Sequence, residues 1–484
     1  MPFAARFSSF AARVAVPAAI CGTTMLAGCG AGTSPVDEAT AKGILIRGNA
    51  AEPKGLDPHL VSGVLEDNII RALFEGLCTE HPEKDGVPLP GAAESWEANA
   101  DFTEWVFHLR KDARWSDGEP VTAEDFLFSY ERILTPALGA EYAGMLYYVV
   151  GAQDFNEGKT TDFSTVGVSA DDDYTLRVRL RGSIPFLPEL VKHYTWYPVP
   201  KHTVLKFGRM DDPFSEWTRP KNIVSNGPFV LKSWRLNDHI EVEKNPLYWD
   251  AKTVGLNGVR FLPVVNGYTE CRMFFNRQMH LTYTMPPELK AFAKEKFPDE
   301  WRGELYLGVL FMRCNTERGA LGDKRVRKAL SLALDRESLI ENVVQGGQEP
   351  ARGIVPPFGG YESPGTVRTD AAEARRLLAE AGFPGGAGFP DFKLLITDRD
   401  TAKKLGEAIQ GMWRDELGIR VRIEQMEWGS YLQSQFEKQY DLALGGWIGD
   451  YLDPTTFLDM WVTDGGNNNT SWSNRDYEAL LTEG

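Results

Sequence analysis

The chain has 484 residues, with 52 Lys and Arg against 68 Asp and Glu and a formal net charge of -16. That balance excludes a nucleic-acid reader, because nucleic-acid phosphates demand clustered Lys and Arg; it suits solubility and, weakly, cationic ligands. With 43% hydrophobic and 11% aromatic residues and five cysteines, the length supports two or three domains with large cores and leaves no room for a disulfide framework.

At the start of the chain, Arg6 and Arg13 give a positive region, and Val14 to Leu26 is a short apolar run broken by Pro17. The run falls short of the ~20 residues of a membrane span and closes on Leu26-Ala27-Gly28-Cys29. It reads as an export signal over residues 1–28. Small residues followed by cysteine resemble the lipobox of bacterial lipoproteins, which makes Cys29 the lipidated first residue of the mature chain. Residues 29–42, mostly small and polar, predict a tether. Cys78, Cys271 and Cys314 remain; one pair could bridge, but wide spacing and odd number favour buried free thiols, and no metal-site spacing is present.

"GILIRGN" (43–49) predicts a strand, and "EDNIIRALFEGLCT" (66–79) carries apolar residues at helical spacing. Trp105, Phe107 and Leu109 alternate, predicting a strand with one buried face. "SDGEP" is a turn, and Thr122 with Asp125 resembles a capping box before a Phe126/Tyr130 helix face. "YTLRVRL" (174–180) alternates again, and residues 226–249 read as two hairpin-like strands. "DKRVRKALSLALDRESLIENVVQGG" (323–347) predicts one long amphipathic helix capped by Asp323. Residues 350–368, rich in Pro and Gly, predict a loop. "FKLLIT" (392–397), a helix near 400–417, Gly418 and "IRVRIEQMEW" (419–428) predict a strand–helix–strand unit with parallel pairing. A short helix and the strand "YDLALGGW" follow. The expectation is a chain of α/β lobes without internal repeats.

Five blocks carry a family resemblance: "EPKGLDPHLVSGVLEDNIIRALFEGL" (52–77), "AESWEANADFTEWVFHLRKDARWSDGEPVTAEDFLFSYERI" (93–133), "SNGPFVLKSW" (225–234), "DKRVRKALSLALDRESLI" (323–340) and "GGWIGDYLDPTTFLDMW" (445–461). In this order they resemble the family 5 extracellular solute-binding proteins of ABC importers, in the oligopeptide-binding branch. The resemblance implies an α/β, two-lobed, type II periplasmic-binding-protein-like fold with an extra inserted domain. Lobe one would comprise 43–74 and 200–304, the inserted domain 75–199, and lobe two 305–484. In the family a last segment returns from lobe two to lobe one; the blocks here stop before it, so lobe two is expected to be incomplete at its C-terminus. The partners implied are an oligopeptide, the importer's membrane permease subunits with their cytoplasmic ATPases behind them, and a membrane reached through the lipid anchor. A monomer is expected, with no catalytic residue, no cofactor and no metal.

A receptor for many peptides must hold what peptides share, the amine and the backbone. Asp450 has no basic neighbour in sequence and matches the family aspartate that takes the peptide ammonium. Asp453 is the better helix cap, because Pro454 suits the first helical position. A nearby helix start would help keep Asp450 ionised. Gly445 and Gly446, with Gly63 and Val64 in "VSGV", offer extended backbone with little obstruction. Trp447, Trp428 and Tyr142 match cleft aromatics, and Tyr283 resembles a peptide-contacting segment. The family's lobe-two basic residues fall on Ala402, Gln435 and Leu444, and its first-lobe acid on Ser62. Amine recognition therefore looks kept and carboxylate recognition lost. Arg313 and Arg352 are the candidates to substitute for those bases, set against the plainer reading of both as solvated surface. The alternatives are the same fold on a modified peptide, glutathione, a nickel chelate or another small solute, and a secreted hydrolase. Against the hydrolase stand the absence of G-x-S-x-G and H-E-x-x-H motifs and histidines that never cluster in sequence; a lone histidine such as His59 reads as structural.

Overall fold

The computed structural model describes residues 33–304 and 306–483. The expected signal segment and Cys29 lie outside the described residues. Three four-stranded sheets organise the chain. In the first, Ile44–Gly48 runs parallel to Gly258–Leu262, followed by His239–Lys244 and Phe229–Arg235, both antiparallel to their neighbours. The last two strands form the expected hairpin. A second sheet is antiparallel throughout, in the order Ala93–Ala98, Glu104–Leu109, Thr175–Arg179, Val168–Asp172. Trp105, Phe107 and Leu109 all bury one face of it, as their alternation predicts. The helix Ala123–Leu134 that follows opens on the expected box, with Thr122 N donating to Asp125 Oδ2 at 3.0 Å.

The third sheet has the order Gly308–Cys314, Leu442–Ile448, Phe392–Thr397, Val421–Met426. Gly308–Cys314 is antiparallel to Leu442–Ile448, and the other pairings are parallel. The helix Asp400–Leu417 links the parallel neighbours Phe392–Thr397 and Val421–Met426. It buries Leu405, Ile409, Trp413 and Leu417 in four-residue steps, the spacing of one helix face. Gly418 at φ +70° ends it, a left-handed conformation open to glycine. Trp413 Nε1 donates to Leu330 O at 2.9 Å, so the largest side chain of this core is also hydrogen-bonded.

Two large cores separate two α/β lobes. One joins the first two sheets through Phe74, Phe107, Phe126, Tyr130, Trp196 and Trp217. The other packs Val326, Leu330, Leu378, Leu394, Ile409 and Trp413. Tyr451, just beyond the strand Leu442–Ile448 of the second lobe, is buried in the first core, with Trp447 packed against it. The end of that strand is therefore where the lobes meet. Cys78 and Cys271 are buried free thiols, and Cys314 is a half-buried one.

Three sequence expectations change. Part of the expected tether is a helix, Pro35–Ala41; Ser34 and Asp37 cap each other and Pro35 sits in its first turn. The helix expected over 66–79 runs Val64–Leu73 instead. Phe74, Leu77 and Cys78 are buried outside any helix, a case in which apolar periodicity alone does not separate helix from buried extended chain. The long helix expected over 323–347 is broken. Lys324–Leu332 stops, Asp335 accepts from Ser338 N at 3.0 Å and caps a new start at Arg336, and a wider turn runs Ile340–Val344. An aspartate that hydrogen-bonds nearby backbone competes with continued helix.

Candidate functional site

Between the lobes lies a cleft of about 520 Å³. The first lobe contributes Ser62, Gly63, Val64, Asp67 and Arg71 around the start of the helix Val64–Leu73, with Tyr142 and His193 beside them. The second lobe contributes Arg313, Trp428, Tyr431, Gln435 and the run Gly445 to Leu452. Gly63, Val64, Tyr142, Trp428, Gly445, Gly446, Trp447 and Asp450 are thus brought together. Tyr283 is not among the lining residues. It packs beside Trp428 and Leu65, with the Arg399 guanidinium 5.6 Å from its ring centroid.

The aromatic walls meet across the cleft. Trp447 stacks on Tyr142 at 5.7 Å and 14°, and Tyr142 stacks on His193 at 5.4 Å and 29°. Trp428 lies over Tyr431 at 5.9 Å and donates its indole N–H to Glu66 Oε1 of the opposite lobe at 3.3 Å. Gly63 has a physical reason to be glycine. A Cβ there would lie 2.0 Å from Glu66 Oε2 and 2.9 Å from the Trp428 ring. Gly445 and Gly446 open in different directions: a Cβ on Gly445 would face Arg313 Nε and Tyr431 Oη, each at 3.5 Å, and one on Gly446 would meet the Leu310 side chain at 2.9 Å.

Asp450 is the electrostatic centre of the first-lobe end. Its backbone N–H donates to Thr456 Oγ1 at 2.8 Å, and its Oδ1 lies 3.5 Å from His193 Nε2. Asp453 takes the capping work, accepting from Thr455 N at 3.0 Å. Burial and the neighbouring Asp67 carboxylate push the Asp450 carboxyl well above its ordinary value, with Arg71 opposing. This corrects the expectation that the helix start keeps Asp450 ionised. That helix, Thr455–Leu458, is a single turn, and desolvation outweighs it. Arg71 is already engaged by Asp67 at 2.8 Å and Glu80 at 2.6 Å. Burial, with Arg71 nearby, holds His193 down to about 3, so its ring is neutral at neutral pH. His193 Nδ1 accepts from Thr195 N, which leaves the ring proton on Nε2, toward Asp450. With the imidazole neutral, the 3.5 Å contact is not an ion pair, and it falls short of a hydrogen bond. No permanent cation in contact neutralises Asp450 among the described residues.

His193 was not singled out by sequence, because the chain brings it to Asp450 from far away. His59 is structural, as expected: it sits between Arg132 Nη1 at 2.9 Å and Tyr197 O at 3.2 Å. Of the positions expected to have lost a basic residue, Gln435 lines the cleft, Ala402 packs against the second core, and Leu444 O accepts from Tyr431 Oη at 2.6 Å. Arg352 is exposed, but Arg313 is 4% exposed and lines the cleft, which overturns its reading as solvated surface. It sits on a strand with a mixed apolar pattern, and nothing local in sequence marks it.

No helix among the described residues is long and apolar enough to cross a membrane, and no group of three or more His, Cys, Asp or Glu is placed to hold a metal. Residues 87–469 match the family model described as "Bacterial extracellular solute-binding proteins, family 5 Middle". The periplasmic oligopeptide-binding protein OppA of Salmonella typhimurium is 38% identical over 465 residues, covering 91% of this chain and 81% of that protein. The crystal structure of Haemophilus influenzae OppA in complex with the peptide RPPGFSPFR superposes with a TM-score of 0.85 at 35% identity, over 91% of this chain and 87% of that one. The Escherichia coli murein tripeptide binding protein MppA gives a TM-score of 0.83 at 31% identity, over 91% and 86%. These relatives are binding proteins and not enzymes, which sets aside the secreted hydrolase. A lobe pair of this shape, matched over most of its length by sequence and by fold, makes the chain a member of the family 5 bacterial extracellular solute-binding proteins.

Proposed function

We propose that this protein is the ligand-capturing component of an ABC importer and holds oligopeptides between its two lobes. Asp450 receives the peptide ammonium, and the backbone around Gly445–Trp447 and Ser62–Val64 pairs with the peptide backbone. Trp447, Tyr142 and Trp428 provide apolar walls that tolerate varied side chains. The observation that carries the reading is Asp450 itself: a buried carboxyl in the cleft with only a neutral imidazole in contact. A bound ammonium supplies the missing charge, and a low-dielectric cleft strengthens the pair. The resemblance of relatives named for oligopeptides and a murein tripeptide supports the ligand class.

On this reading the chain is exported by residues 1–28, anchored through lipid on Cys29, and works as a monomer with the permease subunits of its importer. Residues 43–74 and 200–304 form lobe one, 75–199 the inserted domain, and 305–484 lobe two. Isothermal calorimetry with paired peptides tests the site. N-acetylation is expected to weaken binding by ~10–150-fold, the loss of a charge-assisted hydrogen bond of ~1.5–3 kcal/mol. Equal affinity for free and acetylated peptides would remove Asp450 from the amine-binding role.

A further inference from the structure

Arg313 is the unexplained charge of the cleft. Its strand, Gly308–Cys314, pairs with the strand that carries Gly445 and Trp447, with Arg313 opposite Ala443. The guanidinium lies over Gly445, and Arg313 is 4% exposed. A guanidinium carries five N–H donors. Here Nη1 donates to Asn467 O at 3.1 Å, and Nε, fully buried, has no acceptor. Phe311 and Trp461 flank it, at 5.3 and 6.0 Å from their ring centroids. The other buried or half-buried cations of the lining are paired: Arg71 with Asp67 and Glu80, and Lys192 with Glu189. Among the described residues no carboxylate makes an ion pair with Arg313, and Glu141 acts on it only through space. Two other buried donors of the lining, Gln435 Nε2 and Trp447 Nε1, also lack an acceptor.

Burying a cation without a partner is expensive, and such charges persist where a counter-charge arrives. Stacking on two rings offsets part of that cost, but rings do not satisfy N–H groups. The cleft therefore holds an acid and a guanidinium that no ion pair compensates, Asp450 just beyond the strand Leu442–Ile448 and Arg313 beside Gly445 within it. We infer that Arg313, with Gln435 beside the same cleft, forms a carboxylate subsite of the second lobe, making the cleft selective for peptides that carry both an amine and a carboxylate. This rests on the proposed peptide-binding reading. It replaces the expectation that carboxylate recognition is lost: the charge comes from the first strand of the second lobe, not from the Ala402, Gln435 or Leu444 positions.

The spacing bounds the ligand. From Gly445, beneath the guanidinium, to Asp450 is five residues, at most ~16 Å for extended chain at ~3.3 Å per residue. An extended peptide spans ~3.3–3.6 Å per residue, so a terminal carboxylate reaches Arg313 in peptides of about three to five residues. An acidic side chain within a longer peptide presents the same group at the same place.

Two peptide pairs, all with free amines, separate these sources. The first pair is tri- to penta-alanine as free acids and as C-terminal amides. The second is C-amidated alanine peptides carrying Glu or Gln at the second, third or fourth position. Calorimetry on the wild-type protein is expected to show at least a tenfold preference for the charged member of one pair. A terminal-carboxylate site gives it in the first, and a side-chain site in the second. In Arg313→Gln the ratio is expected to collapse toward one, and in Arg313→Lys to survive in part, because charge remains without the planar fork. No preference in either pair on the wild-type protein overturns the inference whatever the variants do, as does an unchanged ratio in Arg313→Gln. If N-acetylation matters but carboxylates do not, the carboxylate subsite alone fails. If none of these peptides binds, the peptide-binding reading fails with it.

Discussion

Replacing Asp450 by Asn removes the charge and keeps the shape, so the consequences can be worked from the site. The first is affinity: losing a charge-assisted hydrogen bond to an ammonium costs ~1.5–3 kcal/mol, or ~10–150-fold in Kd. The second is pH. In the empty protein, burial and Asp67 raise the Asp450 carboxyl well above its ordinary value, and a bound ammonium lowers it again. Amine binding then requires loss of a proton, so affinity rises with pH up to the raised value of the empty state, by at most ~tenfold per unit for one proton. Above ~8 the peptide's own α-amine titrates and affinity falls. His193, held down to about 3, does not produce the acid limb. Asp67, raised by burial against the pull of Arg71, and Glu66, raised by burial, are the competing sources. The assay is calorimetry of one free-amine peptide from pH 5 to 9, repeated in two buffers of different ionisation enthalpy to count protons. Wild-type protein is expected to release up to one proton on binding. In Asp450→Asn the acid limb and the released proton disappear and the basic limb remains. Persistence of the wild-type acid slope in the variant assigns the titration to Asp67 or Glu66 and refutes the role given to Asp450.

Trp447→Ala removes the ring stacked on Tyr142 and is expected to weaken peptide binding by ~2–13-fold, from ~0.5–1.5 kcal/mol of aromatic contact; unchanged affinity would make this tryptophan a bystander. Arg132→Met should destabilise the first lobe by ~3–5 kcal/mol in a denaturant melt, because it leaves buried Asp57, now bound by Arg132 Nη2 at 2.6 Å, without its cation. Burial alone would raise Asp57, but Arg132 carries it below its ordinary value. The wild-type pair therefore stabilises fully above about pH 3.8 and is lost as pH falls through the lowered value; a variant with unaltered acid stability would contradict this.

What sequence could show here depended on range. Alternation at Trp105, Phe107 and Leu109, and the strand–helix–strand unit ending at Gly418, are local signals, and the structure carries both. Asp450 stood out because its neighbours held no base, and Asp453 beside Pro454 took the cap. Three failures are also local. Ser34-Pro35 with Asp37 was a capping box among small residues that read as tether. Asp335 restarted a helix whose periodicity looked continuous. Phe74, Leu77 and Cys78 continued the apolar spacing and fitted a helix as well as a buried segment. The remaining failures are long-range. His193 reaches Asp450 across more than half the chain, and Arg313 turns inward against Gly445 of the paired strand, in a sheet closed by residues more than a hundred positions away. Neither placement has a periodic or compositional trace.

The two lobes already touch through Trp428 and Glu66, and through Trp447 and Tyr142. They also touch through Lys404, paired with Glu288, and Asp400 Oδ2, which accepts from Asn266 Nδ2 at 3.0 Å. These contacts bring both walls of the cleft together and leave Asp450 and Arg313 without ion-pair partners. Glu66 shows the cost on one side: although it accepts the Lys54 N–H at 2.7 Å and the Trp428 indole, burial still raises it above its ordinary value. Contact between the lobes is thus favoured by aromatic and hydrogen-bond contacts and opposed by desolvation of Asp450, Glu66 and Arg313. On the proposed reading a zwitterionic peptide relieves the opposing side at both ends, while a neutral solute of the same size relieves neither. Selectivity would then come less from the shape of the walls, which are aromatic and permissive, than from which ligands repay the desolvation of charges the protein has buried in advance.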